Sequence, residues 1–236
     1  MNDTPMYKEA LSAEKSIRVA RALAEAGGIA SYSQLAKISG VEGSLLIYHL
    51  NRLQSLNLIE TPVKGTYRLK YKTPLCFLYD STEAEVAYLG LLGRRGGRNE
   101  PETDVALRLL EGEGFSPKLK YVVTSPKALE EWSALKLPYQ WILCYEDEII
   151  DIDAIKRKVK PQLEDLLRDY VVILDCTSAT KPATIAYYEL AQTYLTPLIY
   201  VYEETGRLKW LVDREVLESQ LGLNIPGGRP RERKHR

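Results

Sequence analysis

Residues 170–202, YVVILDCTSATKPATIAYYELAQTYLTPLIYVY, decide the fold class. Positions 170–175 are β-branched or apolar on both faces, as a parallel strand covered by helices must be. A loop of small and hydroxylated residues follows at 176–182, then an amphipathic helix and a second apolar strand at 197–203. Strand, loop, helix and strand in this order form the unit of an open α/β sheet. In such sheets ligands bind at the carboxyl ends of the strands, where the next helix offers unpaired backbone N–H groups and a partial positive charge. Thr177, Ser178, Thr180 and Lys181 stand in that loop. Hydroxyls, amides and a lysine suit a phosphate better than a metal. A capped strand-to-helix turn with no ligand accounts for the same residues.

Working outward, the strands and helices alternate. A strand is predicted over 84–92, and the loop 93–99, GRRGGRN, follows it. Its arginines fork onto phosphate oxygens and its glycines let backbone come close, which makes Arg94, Arg95 and Asn99 candidate ligand contacts. A solvated charged turn is the competing reading. There is no GxGxxG and no GK[ST], so neither a dinucleotide fingerprint nor a Walker A loop is present. A helix over 102–112 precedes a strand at 120–124, which ends in Thr124-Ser125-Pro126. Helices over 127–135 and 153–168 flank a strand at 140–145. Residues 207–212 form an antiparallel edge after the turn Thr205-Gly206. The expectation is a Rossmann-like doubly wound sheet over residues 74–224, with loops 93–99, 124–126 and 176–182 at one carboxyl edge.

Before it, residues 8–27 place Ala10, Leu11, Ile17, Ala20, Leu23 and Ala24 at helical spacing and stop at Gly27-Gly28. Further helices are predicted over 31–38 and 42–56, and 58–71 alternates about Lys64-Gly65 as a hairpin does. Three helices and a hairpin make a small winged helix-turn-helix domain over residues 1–73. The stretch 30–60, ASYSQLAKISGVEGSLLIYHLNRLQSLNLIE, resembles ArsR/MarR-like winged helices. The likeness lies in the spacing of Leu35-Ala36, Gly40-Val41, Leu46, His49-Leu50, Leu53 and Leu58-Ile59. Such a domain lays its third helix in the major groove of DNA. Ser44, Tyr48, Asn51 and Arg52 then lie on or near the outer face, where Asn51 and Arg52 meet bases or phosphates and Tyr48 at most a thymine methyl, while Lys37, Lys64, Arg68 and Lys70 meet phosphates. The same outer face carries Leu45 and Ile47, so docking on a protein is the competing reading. His49 reads as a packed core histidine.

Composition bounds the rest. Net charge is zero, yet residues 1–72 hold 10 basic and 6 acidic side chains, and 229–236 hold 5 and 1. The acidic excess therefore lies in the body, and nucleic-acid contact is expected from the ends. Residues 225–236 read as a basic disordered tail. Cys76, Cys144 and Cys176 are far apart and only His49 and His235 are present, so no metal site, disulfide framework or cofactor is expected. No apolar run reaches the length of a membrane span and the N-terminus lacks the order of a signal peptide, which predicts a cytoplasmic protein. Scarce Asn, Gln, Met and His beside abundant Glu, Lys, Arg and Tyr hint at a thermophilic source.

The second domain resembles the CARF domain, the CRISPR-associated Rossmann-like sensor. The loop 93–99, the strand ending in Thr124-Ser125, and DCTSATKPATIAYYELA followed by PLIYVYE carry the resemblance. This chain has Ser178-Ala179 where that family has a glycine pair. The resemblance implies that cyclic tetra- or hexa-adenylate binds across a two-fold homodimer. Thr177, Thr180 and Lys181 match the motif, with Arg94, Arg95, Asn99, Thr124, Ser125 and Ser178 around them. It further implies a transcriptional regulator that binds double-stranded DNA and shifts its winged helices when the ring binds. Two alternatives stand beside it. One is a metal-independent ring nuclease in which Lys181, Thr177 and Ser178 act on a ribose 2′-OH attack. The other is a non-catalytic adaptor docking on a CRISPR effector.

Overall fold

The computed structural model describes residues 4–78 and 85–221. The N-terminal part holds helices α1 (Tyr7–Ala10), α2 (Glu14–Glu25), α3 (Tyr32–Ser39) and α4 (Gly43–Ser55), with strands β1 (Ile29–Ser31), β2 (Ile59–Val63) and β3 (Thr66–Leu69). The three strands form an antiparallel sheet in the order β1-β3-β2. Ser31 caps α3 reciprocally with Gln34, as a capping box does. Gly40 takes the left-handed conformation that turns α3 into α4. Gly65, also at positive φ, closes the β2–β3 hairpin.

The single helix expected over 8–27 is broken into α1 and α2. Ser12 donates to the Glu9 carbonyl at 2.8 Å, and Arg52 Nη2 donates to the same carbonyl at 2.7 Å and to Ser12 Oγ at 2.9 Å. Side chains therefore satisfy the end of α1, and the ladder does not continue through it.

The second part is a six-stranded sheet. In chain order it comprises β4 (Val86–Leu92), α5 (Glu102–Gly112), β5 (Leu119–Thr124), α6 (Pro126–Glu131), β6 (Gln140–Leu143), α7 (Ile152–Asp169), β7 (Val171–Asp175), α8 (Lys181–Tyr194), β8 (Leu198–Tyr202), β9 (Arg207–Val212) and α9 (Arg214–Gln220). The spatial order is β6-β5-β4-β7-β8-β9. The first five of these neighbours run parallel and β9 pairs antiparallel on β8. This is the doubly wound, Rossmann-like arrangement expected, with its antiparallel edge at 207–212. From β4 the chain steps outward to β5 and β6, then returns across β4 to β7. The order reverses between β4 and β7, and that pair is the topological switch point.

Alternation along β4 divides the core. Ala87, Leu89 and Leu91 join the apolar cluster of α7 and α8, and Tyr88 and Leu92 join that of α5. β7 is buried at every position, Val171 to Asp175. Each fully buried leucine or isoleucine contributes about 2 kcal/mol by leaving water, so both faces hold the sheet strongly.

The two parts share one hydrophobic cluster. It runs from Leu23, Leu46 and Leu53 through Tyr71 and Leu75 to Leu163, Leu167 and Tyr194. The connecting chain is tied to α7 and β7: Lys72 N donates to the Leu167 carbonyl at 2.6 Å, and Thr73 Oγ1 to the Tyr170 carbonyl at 2.9 Å. A 3-10 turn at Leu75–Leu78 follows. The tail expected over 225–236 lies outside the described residues. Among the described residues no helix is long and apolar enough to cross a membrane.

Candidate functional site

At the switch point the loops after β4 and β7 meet. Gly93 N donates to Ser178 Oγ at 2.8 Å. A methyl group on Gly93 would lie 2.9 Å from Ala179 N, so only glycine lets the loops close this far. Ser178 in turn donates to Glu102 Oε2 on the first turn of α5. Arg98 Nη2 pairs with the other carboxylate oxygen, Glu102 Oε1, at 3.1 Å. Four side chains or amides from two loops and a helix thus converge in the crevice where this fold places ligands.

Beneath them lies a buried polar network. Asp175, the last residue of β7, accepts from Tyr88 OH at Oδ2 and from the Thr177 amide and hydroxyl at Oδ1. Thr177 Oγ1 also accepts from Val201 N at 2.9 Å. Burial pushes the Asp175 carboxyl up from the ordinary range, and the bonds from Thr177 and Tyr88 oppose that shift. Gly90 makes the network possible, because a side chain there would collide with the Tyr88 ring on its way to Asp175. From the opposite face of β4, Tyr187 OH donates to the Gly90 carbonyl at 3.0 Å.

α8 begins at this edge. Thr180 is its N-cap, accepting from Ala183 N at 3.3 Å and donating to the Ile149 carbonyl at 2.5 Å. Ala179 sits at φ 70°, in the left-handed region. The amides of Ser178, Ala179, Thr180 and Lys181 have no acceptor among the described residues. Lys181 is exposed, with no ion pair among the described residues. Amides, a helix start and a lysine in one short stretch form a surface that favours anions.

The sequence-predicted residues divide into three groups. Thr177, Ser178, Thr180 and Lys181 lie together at the switch point, as expected. Their three hydroxyls bond protein groups, whereas the amides of 178–181 and the Lys181 ammonium meet none among the described residues. The Thr177 and Ser178 hydroxyls donate to Asp175 and Glu102 respectively. Thr124 and Ser125 are buried and structural: Thr124 Oγ1 donates to the Leu92 carbonyl at 2.9 Å, and Ser125 Oγ caps α6 through Ala128 N.

Arg94 and Arg95 turn away from the crevice. Arg94 binds Glu131 through Nε and Nη2, both at 2.7 Å, while Arg95 N donates to Glu131 Oε2 at 2.8 Å. Those bonds hold the Glu131 carboxyl below its ordinary pKa, the Arg95 amide being the larger influence. The Arg95 guanidinium lies over the Trp132 ring, 5.4 Å from its centroid. Asn99 is exposed at the edge of the loop. Glu102 and Arg98, the groups that reach the crevice, were not singled out from the sequence.

Burial pushes the Cys176 thiol up to about 12 and Cys144 to about 11. Among the described residues no group of His, Cys, Asp and Glu could hold a metal ion. A separate cleft of about 630 Å³ lies between α2, β3 and the end of α7. Arg68, Lys70, Lys72 and Arg168 share its wall with Glu25, Glu60 and Asp169, a mixed lining without preference for anions.

In the N-terminal part the outer face of α4 exposes Ser44, Leu45, Ile47, Tyr48 and Asn51. Lys37 and Lys64 are exposed on α3 and the hairpin tip. Arg52 and Arg68 are committed elsewhere: Arg52 to the α1–α2 turn, and Arg68 Nε to Glu60 Oε1 at 2.6 Å. His49 is buried, with Nδ1 2.9 Å from Ser16 Oγ. Burial, then Lys15 and Arg52, hold its pKa below the ordinary histidine value.

No protein-family model and no curated protein matches the chain. Solved structures do. Can2 from Sulfobacillus thermosulfidooxidans, in complex with cyclic tetra-adenylate, superposes with a TM-score of 0.39 and 15% identity over 55% of this chain and 35% of its own. Enterococcus italicus Csm6, bound to cyclic hexa-2′-fluoro-hexa-dAMP, gives 0.42 and 13% over 59% of this chain and 37% of its own. Protein VC1899 from Vibrio cholerae gives 0.39 and 13% over 55% and 34%. This chain therefore spans about a third of the length of each.

Proposed function

We propose that this protein is a CARF-like sensor of cyclic oligoadenylate, joined to an N-terminal winged helix that delivers the output. The observation that carries the reading is the closure of loops 93–99 and 176–181 at the switch point. It leaves the amides of Ser178 to Lys181 and the Lys181 ammonium beside one another for a phosphodiester. Can2 and Csm6 hold ligands of that class in their solved structures.

Two copies share the ring. Ile185 and Tyr188 lie one and two turns beyond Lys181 on the same face of α8, and Tyr188 is 50% exposed. Tyr145 and Ile150, exposed in the loop before α7, stand near the Thr180 cap. An apolar patch beside a polar site suits a two-fold contact that presents each loop twice to a symmetric ring.

The winged helix transmits the change to DNA through Ser44, Tyr48 and Asn51 on α4, with Lys37 and Lys64 against phosphates. A second reading rests on Leu45, Ile47 and Tyr48. All three are exposed on the face that would enter the groove, and Tyr48 is 57% so. That face also suits an apolar protein partner, which makes the chain an adaptor.

Native mass spectrometry with cyclic tetra- and hexa-adenylate tests the sensor. The expected species is two chains carrying one ring, lost when Lys181 is changed to Ala. Bare monomers with both rings would overturn the proposal.

A further inference from the structure

We propose that Glu102 is the internal competitor of the ligand phosphate and sets the affinity and anion selectivity of the site. This rests on the anion-binding reading of the switch point given above. The observation is the position of its carboxylate. A glutamate in the first turn of a helix ordinarily faces solvent and favours the helix dipole from there. Glu102 instead turns into the crevice, its side chain 13% exposed. There it accepts the Ser178 proton from the loop after β7 and pairs with Arg98 from the loop after β4.

Those two partners are the donors a phosphate oxygen would seek in this crevice. A hydroxyl and a guanidinium converging on one oxyanion make a phosphate subsite, and a carboxylate of this chain occupies it. The crevice cannot hold two anions in contact at that point without a large repulsion, because water is largely excluded from Glu102. Entry of a phosphodiester therefore requires the Glu102 side chain to swing out and release Arg98 and Ser178. Gly93 remains bonded to Ser178 Oγ through its amide, so the loops need not part when the carboxylate leaves. A neutral nucleoside displaces nothing and gains nothing from the exchange. Glu102 thus weakens binding of weak or singly charged anions more than that of a ring that presents several phosphates at once.

The test compares the wild type with Glu102→Gln, which still accepts from Ser178 but carries no charge, and with Glu102→Ala in case the amide disturbs the loop. Thermal melting establishes that each variant folds. Calorimetry is run with cyclic tetra-adenylate, cyclic hexa-adenylate and inorganic pyrophosphate. The expected result is tighter uptake by Glu102→Gln, about tenfold for the ring that the wild type binds. The gain for pyrophosphate should be larger, so that discrimination between ring and pyrophosphate falls. Equal or weaker binding of both probes by the folded variants overturns the role of Glu102, even if the wild type binds a ring. Should no protein bind either ring while pyrophosphate binds more tightly to the variants, the sensor reading fails and the competitor role stands. With no pyrophosphate difference either, both fall.

Discussion

Gly93 and Ser178 join the two loops of the switch point: the Gly93 N–H donates to Ser178 Oγ at 2.8 Å, and the Gly93 α-carbon faces the Ala179 backbone with no room for a methyl group. The contact lies between β4 and β7, the central parallel pair, and both neighbours of Ser178 belong to the candidate ligand stretch.

Gly93→Ala should therefore push the loops apart. Backbone, rather than a flexible side-chain tip, stands against the new methyl, so relief requires a loop to move. The expected loss is about 1–3 kcal/mol, as for overpacking elsewhere. Thermal melting measures it, and ligand affinity should fall with stability. An unchanged melting temperature would show that the loops are not held where they are described.

Ala179→Gly should act in the opposite direction. Alanine at φ 70° carries left-handed strain that glycine does not. Release of about 1 kcal/mol, less the entropy glycine adds to the unfolded chain, raises the midpoint by roughly 2 °C at this size. A lower midpoint would mean that the alanine methyl packs for more than its strain costs.

Asp175→Ala removes the shared acceptor of Tyr88 and Thr177 in a fully buried place. Orphaning those donors should cost about 3 kcal/mol, and Tyr88→Phe about half of that. Equilibrium denaturation distinguishes the two. If both are neutral, the network contributes nothing to closing the loop after β7.

His49 predicts a pH dependence. Its folded pKa lies below the ordinary value near 6.5, so above that pH both folded and unfolded chains hold it neutral and it contributes nothing. As the pH falls below about 6.5, the unfolded chain takes up a proton that the fold resists, and stability declines until the folded pKa is passed. Melting at pH 5.5 should be lower than at pH 7.5, and His49→Leu should flatten this slope. A slope unchanged by the substitution would assign it to other groups.

Arg52→Ala separates structure from DNA recognition. Because Arg52 ties Glu9 and Ser12, its loss should lower stability and leave the salt dependence of any DNA binding as it was. Lys64→Ala, at an exposed tip, should leave stability unchanged and reduce the salt slope by about one phosphate. Electrophoretic shifts across a salt series report both. The reverse pattern would return Arg52 to the DNA face.

The alternation of strands and helices was legible because β4 and β7 are apolar on both faces and the loops carry glycine, proline or hydroxyls at their ends. The helix break at Ser12 was not, since it depends on Arg52, 40 positions away. Nor was the strand β1, three residues long and formed only by pairing on β3. At the candidate site, composition singled out the stretch 177–181 but not the use of its hydroxyls, which is decided by where Asp175, Glu102 and Ile149 lie in three dimensions. Arg94 and Arg95 looked like a phosphate clamp because their carboxylate partner, Glu131, belongs to a different strand–helix unit. Glu102 escaped notice for the same reason, its partner Ser178 coming from the far half of the sheet.

The most direct measurement is calorimetric titration of the purified protein with cyclic tetra- and hexa-adenylate, with linear adenylates as controls. Saturable binding of one ring per two chains, much weaker for the linear forms and lost in Lys181→Ala, is the predicted result. Absence of heat with both rings, at concentrations where the protein is folded, would contradict the sensor reading.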